Sequence, residues 1–188
     1  VDKGDVNRTL EVVSPITLEA ATPEARLVLD SGTFKLSNSS SDITAINVNG
    51  DNAANTLDSN ERVWVTAGTL RVNSGWRLNQ GELKITGGTV HIGDADSERL
   101  DYLNNGKLTI QGGQLNIAAG IFGNASSSSG TIQITNGVIT VGVFWNGYAK
   151  PSFEVTSNCT FSMSGGTIAV RRKGTDSANY DYVNLSGN

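Results

Sequence analysis

One short pattern occurs six times in the chain of 188 residues, and this repeat constrains the fold more than any other feature. Each copy reads apolar-x-apolar-x-x-Gly-x-apolar-x-apolar without a gap. The copies are LVLDSGTFKL (27–36), VWVTAGTLRV (63–72), LKITGGTVHI (83–92), LTIQGGQLNI (108–117), IQITNGVITV (132–141) and FSMSGGTIAV (161–170). The glycines at the fixed position of the pattern, from Gly32 to Gly166, are 36, 20, 25, 24 and 29 residues apart. A fixed period with insertions is typical of a repeat architecture.

Each copy contains two three-residue segments in which apolar and polar side chains alternate. This alternation is the period of a strand with one buried face, so the middle residue of each segment is predicted to face solvent. The polar residues at these middle positions are Lys35, Arg71, Lys84, His91, Thr109, Asn116, Gln133, Thr140 and Ser162. Trp64 is an apolar exception, and we expect the polar segment 37–62 to cover it. The glycine between the two segments is predicted to turn a corner at positive φ.

A weaker apolar segment follows each copy and is the candidate for a third strand. These segments are 16–18, 46–48, 76–78, 100–103, 121–122, 153–155 and 183–185. Three short strands per period predict one turn of a parallel β-helix, in which each segment stacks on its equivalent one turn later. An array of β-hairpins is the alternative, but it would leave the constant period unexplained.

The expected fold is therefore all-β, a single-stranded parallel β-helix (β-solenoid) with about three short strands per turn and roughly six to eight turns. A right-handed coil is expected because crossovers between parallel strands are almost always right-handed. The whole chain, 1–188, is interpreted as one domain with loop insertions at 37–62, 142–152 and 171–182. We expect it to be part of a longer repeat protein in which the solenoid continues beyond Asn188.

Composition and charge exclude several functional classes. Charged residues make up 17% of the chain and the net charge is -4, with no extended basic stripe, which argues against nucleic-acid binding. No apolar run approaches the roughly 18 residues that span a bilayer, so no membrane insertion is expected. Cys159 is the single cysteine, which rules out an internal disulfide and a multi-cysteine metal site.

The repeat resembles the right-handed parallel β-helix (pectate-lyase-like) repeats of large secreted bacterial surface proteins. These include autotransporter and haemagglutinin-type passengers, and strand-repeat proteins of Bacteroidota that carry MSGGTI units. Residues 163–168 read MSGGTI, and TGGT at 86–89 and QGGQ at 111–114 are variants. The resemblance implies export, surface display and a spacer or adhesin role, with glycans or other surface proteins as partners. Enzymes and phage tailspikes share this architecture, so it does not by itself select an activity.

Two of the insertions carry aromatic and basic side chains that are candidates for ligand binding. The candidate residues are Phe144, Trp145 and Tyr148 in the first insertion, and Arg171, Arg172, Tyr180 and Tyr182 in the second. Rings and cations on adjacent turns could stack on sugar faces and bond to hydroxyl groups. The alternative is that the rings pack down as lids over the strands.

The acidic segment GDADSE is the candidate metal site. Asp94, Asp96 and Glu98 alternate along the chain and could hold calcium, while an ordinary solvated acidic loop explains them equally well. No other cofactor is expected. His91 is the sole histidine and is interpreted as a solvent-facing residue of a strand rather than a general base.

No pair of facing carboxylates and no nucleophile motif is found, so a catalytic site is not predicted. The leading hypothesis is a non-catalytic structural or adhesive β-helical segment of a secreted or cell-surface bacterial protein. The alternative is a carbohydrate-binding or polysaccharide-degrading β-helix protein. Self-association through exposed strand edges is a third hypothesis.

Overall fold

A computed structural model describes residues 9–18, 32–45, 56–59, 61–72, 74–95, 98–123, 129–143, 152–171 and 182–185, which form β-strands and no helix. The strands in chain order are β1 (Thr9–Val12), β2 (Thr17–Leu18), β3 (Gly32–Leu36), β4 (Asp42–Ala45), β5 (Thr56–Leu57), β6 (Glu61–Val65), β7 (Thr69–Val72), β8 (Trp76–Asn79), β9 (Glu82–Ile85), β10 (Thr89–Ile92), β11 (Leu100–Leu103), β12 (Gly106–Ile117), β13 (Ile121–Gly123), β14 (Gly130–Val141), β15 (Ser152–Val155), β16 (Cys159–Met163), β17 (Thr167–Val170) and β18 (Tyr182–Leu185).

These strands form three parallel stacks. The first stack runs β1, β3, β6, β9, β12, β14, β16. The second runs β2, β4, β7, β10, β12, β14, β17. The third runs β5, β8, β11, β13, β15, β18. Strands β12 and β14 are long enough to bend through a corner and belong to both of the first two stacks.

Every described pairing is parallel and joins a segment to its equivalent in a neighbouring turn, so the predicted all-β parallel solenoid is confirmed. A hairpin array would have paired β6 with β7 in antiparallel fashion, whereas each of them pairs only with strands of other turns. Residues 61–79, 82–103, 106–123 and 130–155 make about four turns in the middle of the solenoid. The right hand of the coil stays a prediction.

The core is a narrow column of side chains enclosed by the three stacks. In the turn 82–103 its members are Leu83, Ile85, Val90, Ile92, Leu100 and Tyr102, each at most 1% exposed. Alternation explains this burial, because each polar middle residue points away from the column.

The third stack supplies the bulkiest buried residues, Trp76, Tyr102 and Phe153. Tyr102 also has a polar role, because its hydroxyl accepts a hydrogen bond from the Thr156 backbone N–H at 2.9 Å and lies 3.2 Å from the Glu154 carbonyl oxygen.

The first corner, between the first and second stacks, is the most regular part of the fold. It contains three residues in each of five turns, at 66–68, 86–88, 111–113, 135–137 and 164–166. The last residue of each corner is one of the predicted glycines, and all five have positive φ, between 70° and 96°. At Gly88 a Cβ atom would lie only 2.6 Å from the Gly68 carbonyl oxygen of the preceding turn. The predicted function of these glycines is therefore confirmed.

The first repeat copy is wrongly assigned by the sequence pattern. Phe34, Lys35 and Leu36 pair with residues 63–65, so they belong to the first stack rather than the second. Gly32 lies at the start of a strand, opposite Glu61, and does not join the column of corner glycines. Its φ of 91° and its flanking apolar residues imitate the corner pattern.

The segment 37–62 is also more than a loop insertion. It contains β4, which pairs with β7 in the second stack, and β5, which pairs with β8 in the third. Its corner has Ser41, not glycine, at the position equivalent to Gly68, and this substitution hides the turn from the pattern.

Not all of the seven candidate third segments lie in the third stack. The strand Thr17–Leu18, predicted as part of a third strand, pairs with β4 and so belongs to the second stack. The candidate 46–48 lies outside the described residues. The other five candidates overlap β8, β11, β13, β15 and β18, which confirms them as third strands.

Candidate functional site

Most of the predicted sugar-binding residues lie outside the described part of the chain. These residues are Phe144, Trp145, Tyr148, Arg172 and Tyr180. Arg171 is exposed directly after β17, and its backbone N–H donates to the Val141 carbonyl at 2.9 Å. Tyr182 begins β18, where its backbone is in register with Ser152. The sugar surface formed by these insertions therefore stays a prediction.

The acidic segment folds back on its own backbone. The Glu98 carboxylate accepts hydrogen bonds from the backbone N–H groups of Asp94 and Ala95, the latter at 2.9 Å. The pKa of Glu98 is raised, first by burial and further by the neighbouring Asp94 carboxylate, while these two backbone bonds oppose the rise. Asp96 lies outside the described residues, and among those described no three His, Cys, Asp or Glu side chains gather to hold a metal. Calcium binding stays a prediction.

His91 lies on the outer side of the second stack, in register with Arg71 and Asn116. Its pKa lies below the ordinary value, first because of burial and then because of the Arg71 charge, with Asp42 opposing. Arg71 is itself paired with Asp42 at 3.5 Å. With its lowered pKa the imidazole is neutral near pH 7, and its position in an outward row of strand residues is the one that the sequence predicts.

The outer side of the first stack holds a denser set of charged and aromatic groups, arranged in two columns along the solenoid axis. We call them the Trp64 column and the Glu82 column, and together the first-stack face. The Trp64 column consists of Glu11, Lys35, Trp64, Lys84, Thr109 and Gln133 in consecutive turns. The Glu82 column consists of Thr33, Arg62, Glu82, Lys107 and Thr131.

In the Trp64 column an aromatic ring lies between two lysines. The Lys35 and Lys84 ammonium groups lie over the Trp64 ring from the turns on either side, 4.7 and 4.6 Å from its centroid. These are cation–π distances. The indole Nε1 donates to the Thr86 hydroxyl at 3.0 Å. The expected cover from segment 37–62 is not among the contacts of the described residues.

In the Glu82 column one carboxylate serves two cations. Glu82 contacts the Arg62 guanidinium and lies 3.3 Å from the Lys107 ammonium, and the Thr109 hydroxyl donates to it at 3.3 Å. The Glu82 side chain is only 11% exposed. Burial raises its pKa, but the attraction of the two cations outweighs burial and the pKa lies below the ordinary value. The hydrogen bond to Glu82 also explains why Thr109 is buried despite its outward position.

The first-stack face carries surplus positive charge in its middle three turns. Arg62, Lys84 and Lys107 lie on consecutive turns, and Glu82 is the one carboxylate that pairs with any of them within the described residues. Lys35, one turn further out, is neutralised by Glu11 at 2.8 Å. The Arg62 and Lys107 side chains remain 51% and 47% exposed. A protein with net charge -4 thus has a local surplus of two positive charges here.

The outer side of the third stack is organised in the same way. Asp101 is 5% exposed and pairs with Arg99 at 2.9 Å and with Arg77 at 3.8 Å. Burial raises the pKa of Asp101, and the two guanidinium groups only partly oppose this. The Arg99 guanidinium also lies 5.1 Å from the Phe122 ring centroid.

The third corner, which leads from the third stack to the first stack of the next turn, adds a chain of side-chain hydrogen bonds. The Asn79 amide donates to the Asp58 carboxylate at 2.6 Å, and the Asn104 amide donates to the Asn79 side-chain oxygen at 2.8 Å. These three side chains come from three successive turns, so each bond links one turn to the next.

Sequence reasoning missed the first-stack face because it considered only the middle position of each three-residue segment. Arg62, Glu82 and Lys107 each lie one residue before a repeat copy, two residues before the middle position, and so share its outward direction. Extending the repeat by one residue toward the N-terminus would have revealed the alternation of charge.

The comparisons with known proteins return no relative. The chain matches no protein-family model, no curated protein and no solved structure. None of the described residues forms a helix that could span a membrane.

Proposed function

We propose that the chain is a non-catalytic structural and adhesive segment of a protein that a bacterium secretes or displays on its surface. The observation that carries the proposal is that outward side chains of the solenoid form bonds between neighbouring turns. The Trp64 column, the Glu82 column, the Arg77–Asp101 ion pair and the Asp58–Asn79–Asn104 chain all bond one turn to the next.

Such turn-to-turn bonding suits a stiff spacer. In a solenoid the stability of each turn depends on the contact with its neighbours, so side-chain bonds along the axis add directly to the coupling between turns. Seven described strands in the first stack are separated by six intervals of about 4.8 Å, which gives a rod about 29 Å long. Display outside the cell is supported by the resemblance of the MSGGTI repeat to secreted surface proteins.

Surface labelling tests the proposal. An antibody raised against the purified chain is applied to intact and to permeabilised cells of the source organism, with an antibody against a cytosolic enzyme as the control for leakage. We expect the antibody to detect the chain on intact cells or in the medium, without permeabilisation. Detection only after permeabilisation would overturn the proposed location.

A second measurement addresses the non-catalytic part of the proposal. The purified chain is incubated with neutral and acidic polysaccharides, and new reducing ends are counted over time. We expect no increase above the level of a heat-denatured sample. A rate that scales with the concentration of folded protein would instead support the polysaccharide-degrading alternative.

A further inference from the structure

We infer that the first-stack face binds a linear acidic polysaccharide laid along the solenoid axis, with Arg62, Lys84 and Lys107 receiving its anionic groups. This inference rests on the geometry of the face and does not depend on where the protein is displayed. It also differs from the predicted sugar surface, which uses the aromatic insertions.

Charge is the first support. Three cations lie on three consecutive turns beside one buried carboxylate, Glu82, which pairs with Arg62 and Lys107 but not with Lys84, so two positive charges have no counter-charge among the described residues. Arg62 and Lys107 are half-exposed although both contact Glu82, so their remaining N–H donors are open to a ligand. The low pKa of Glu82 keeps this arrangement fixed over the neutral range.

Spacing is the second support. Adjacent turns are about 4.8 Å apart, so the face offers one cation per step of that size. The cations also alternate between the two columns, with Arg62 and Lys107 in the Glu82 column and Lys84 in the Trp64 column. A sugar residue in an extended chain has a comparable length, and a chain of uronic acids carries one carboxylate per residue on alternating sides. Thr131 and Gln133 continue the same columns with groups that can bond to hydroxyls.

Access is the third support. The face is bordered on one side by the three-residue first corners and on the other by the short third corners at 80–81 and 104–105. A ligand much longer than three turns can therefore lie flat on the middle of this face. The described residues raise no wall beside this part of the face, which therefore suits an extended ligand better than a compact one.

The same features disfavour nucleic acid. The faces of the Trp64 ring are occupied by Lys35 and Lys84, so no base can stack on it. Single-stranded nucleic acid binding relies on stacked bases and on a continuous basic groove, whereas this surplus is limited to three turns of an acidic protein.

Binding of polygalacturonate to the full chain tests the inference, with dextran as the neutral polysaccharide and single-stranded DNA as the other polyanion. The test variant is Lys84→Gln/Lys107→Gln. The matched control is Arg71→Gln/Arg77→Gln, which removes the same charge from the second and third stacks. A third variant, Lys84→Arg/Lys107→Arg, keeps the charge. Far-UV circular dichroism and melting curves of all variants verify that each is folded.

We expect polygalacturonate to bind the wild type at about 50 mM salt. The affinity should be much lower at about 300 mM salt, because dissolved ions screen exposed charges. The test variant should bind about tenfold more weakly, while the control changes less than about twofold and the arginine variant binds like the wild type.

Three results would overturn the inference. The first is no binding of polygalacturonate at low salt. The second is an equal loss in the test and control variants, which would indicate non-specific attraction. The third is DNA bound as tightly as polygalacturonate.

Discussion

The corner glycine Gly88 offers the sharpest test of the stacking geometry through the variant Gly88→Ala. Its φ of 70° lies in the left-handed region, which costs an alanine about 1–2 kcal/mol. The added Cβ would also lie 2.6 Å from the Gly68 carbonyl oxygen and 2.8 Å from the Ala67 carbonyl carbon. The Gly68 carbonyl oxygen accepts the hydrogen bond from the Thr89 N–H at 2.9 Å, so it cannot move away from the added Cβ without weakening the hydrogen-bond ladder.

Three contributions determine how much Gly88→Ala changes the free energy of unfolding. Forcing a methyl group into a packed site typically costs about 1–3 kcal/mol. Alanine in place of glycine also stabilises the fold by about 0.4–1 kcal/mol, because it lowers the conformational entropy of the unfolded chain. With the left-handed backbone included, Gly88→Ala should lower the free energy of unfolding by about 3 kcal/mol.

Gly75→Ala is the matched control. Its nearest contact would be the Arg99 carbonyl oxygen at 3.1 Å, and its φ is outside the left-handed region, so the same substitution should change stability by less than about 1 kcal/mol. Both values are measured by urea denaturation followed by circular dichroism, with the slope compared to check that cooperativity is retained. The reasoning is refuted if Gly88→Ala loses no more stability than Gly75→Ala.

Three further predictions concern buried and bonded side chains. Tyr102→Phe should cost about 1 kcal/mol in urea denaturation because the partly buried Thr156 N–H loses the hydroxyl as its acceptor, and an unchanged midpoint would contradict that role. A double-mutant cycle with Trp64→Leu and Lys84→Met should give a coupling of about 0.5–1 kcal/mol, while a coupling of zero would remove the cation–π assignment. Glu82→Gln should cost about 2 kcal/mol at pH 7. Because the folded pKa of Glu82 is lowered, this carboxylate stabilises the fold above its ordinary pKa and loses that effect as the pH falls through the lowered pKa. The difference between Glu82→Gln and the wild type should therefore shrink in acid, and a pH-independent difference would contradict the ion pairs.

The parallel solenoid was predictable because its two strongest signals are local. Alternation decides which side chains are buried, and the left-handed corner requires a residue without Cβ. Both signals can be read from ten consecutive residues, so copies such as 83–92 and 108–117 are assigned correctly from the sequence.

The first turns were harder because one of the two signals is missing. At Ser41 the corner lacks its glycine, and the pattern shifts to Gly32, which has positive φ for a different reason at the start of a strand. An extended repeat would have revealed the outward charges of the first-stack face, but not which of them touch, because its contacts join residues 20 to 29 positions apart, such as Arg62 with Glu82 and Lys35 with Trp64. Contacts of that range become visible only when the register between turns is known.

The length of the first corner, three residues in five of the turns and five residues at 37–41, also bears on how such a chain can change in evolution and in engineering. An extra residue at 86–88 would have to bulge out of the corner, because a shift in the register of β10 against β7 would place polar side chains in the core. The connection from the second to the third stack differs instead, with three residues at 118–120 and ten at 142–151. Duplication of a whole turn would lengthen the molecule along its axis, whereas a peptide is best inserted in the connection from the second to the third stack, which is therefore a natural position for a displayed epitope.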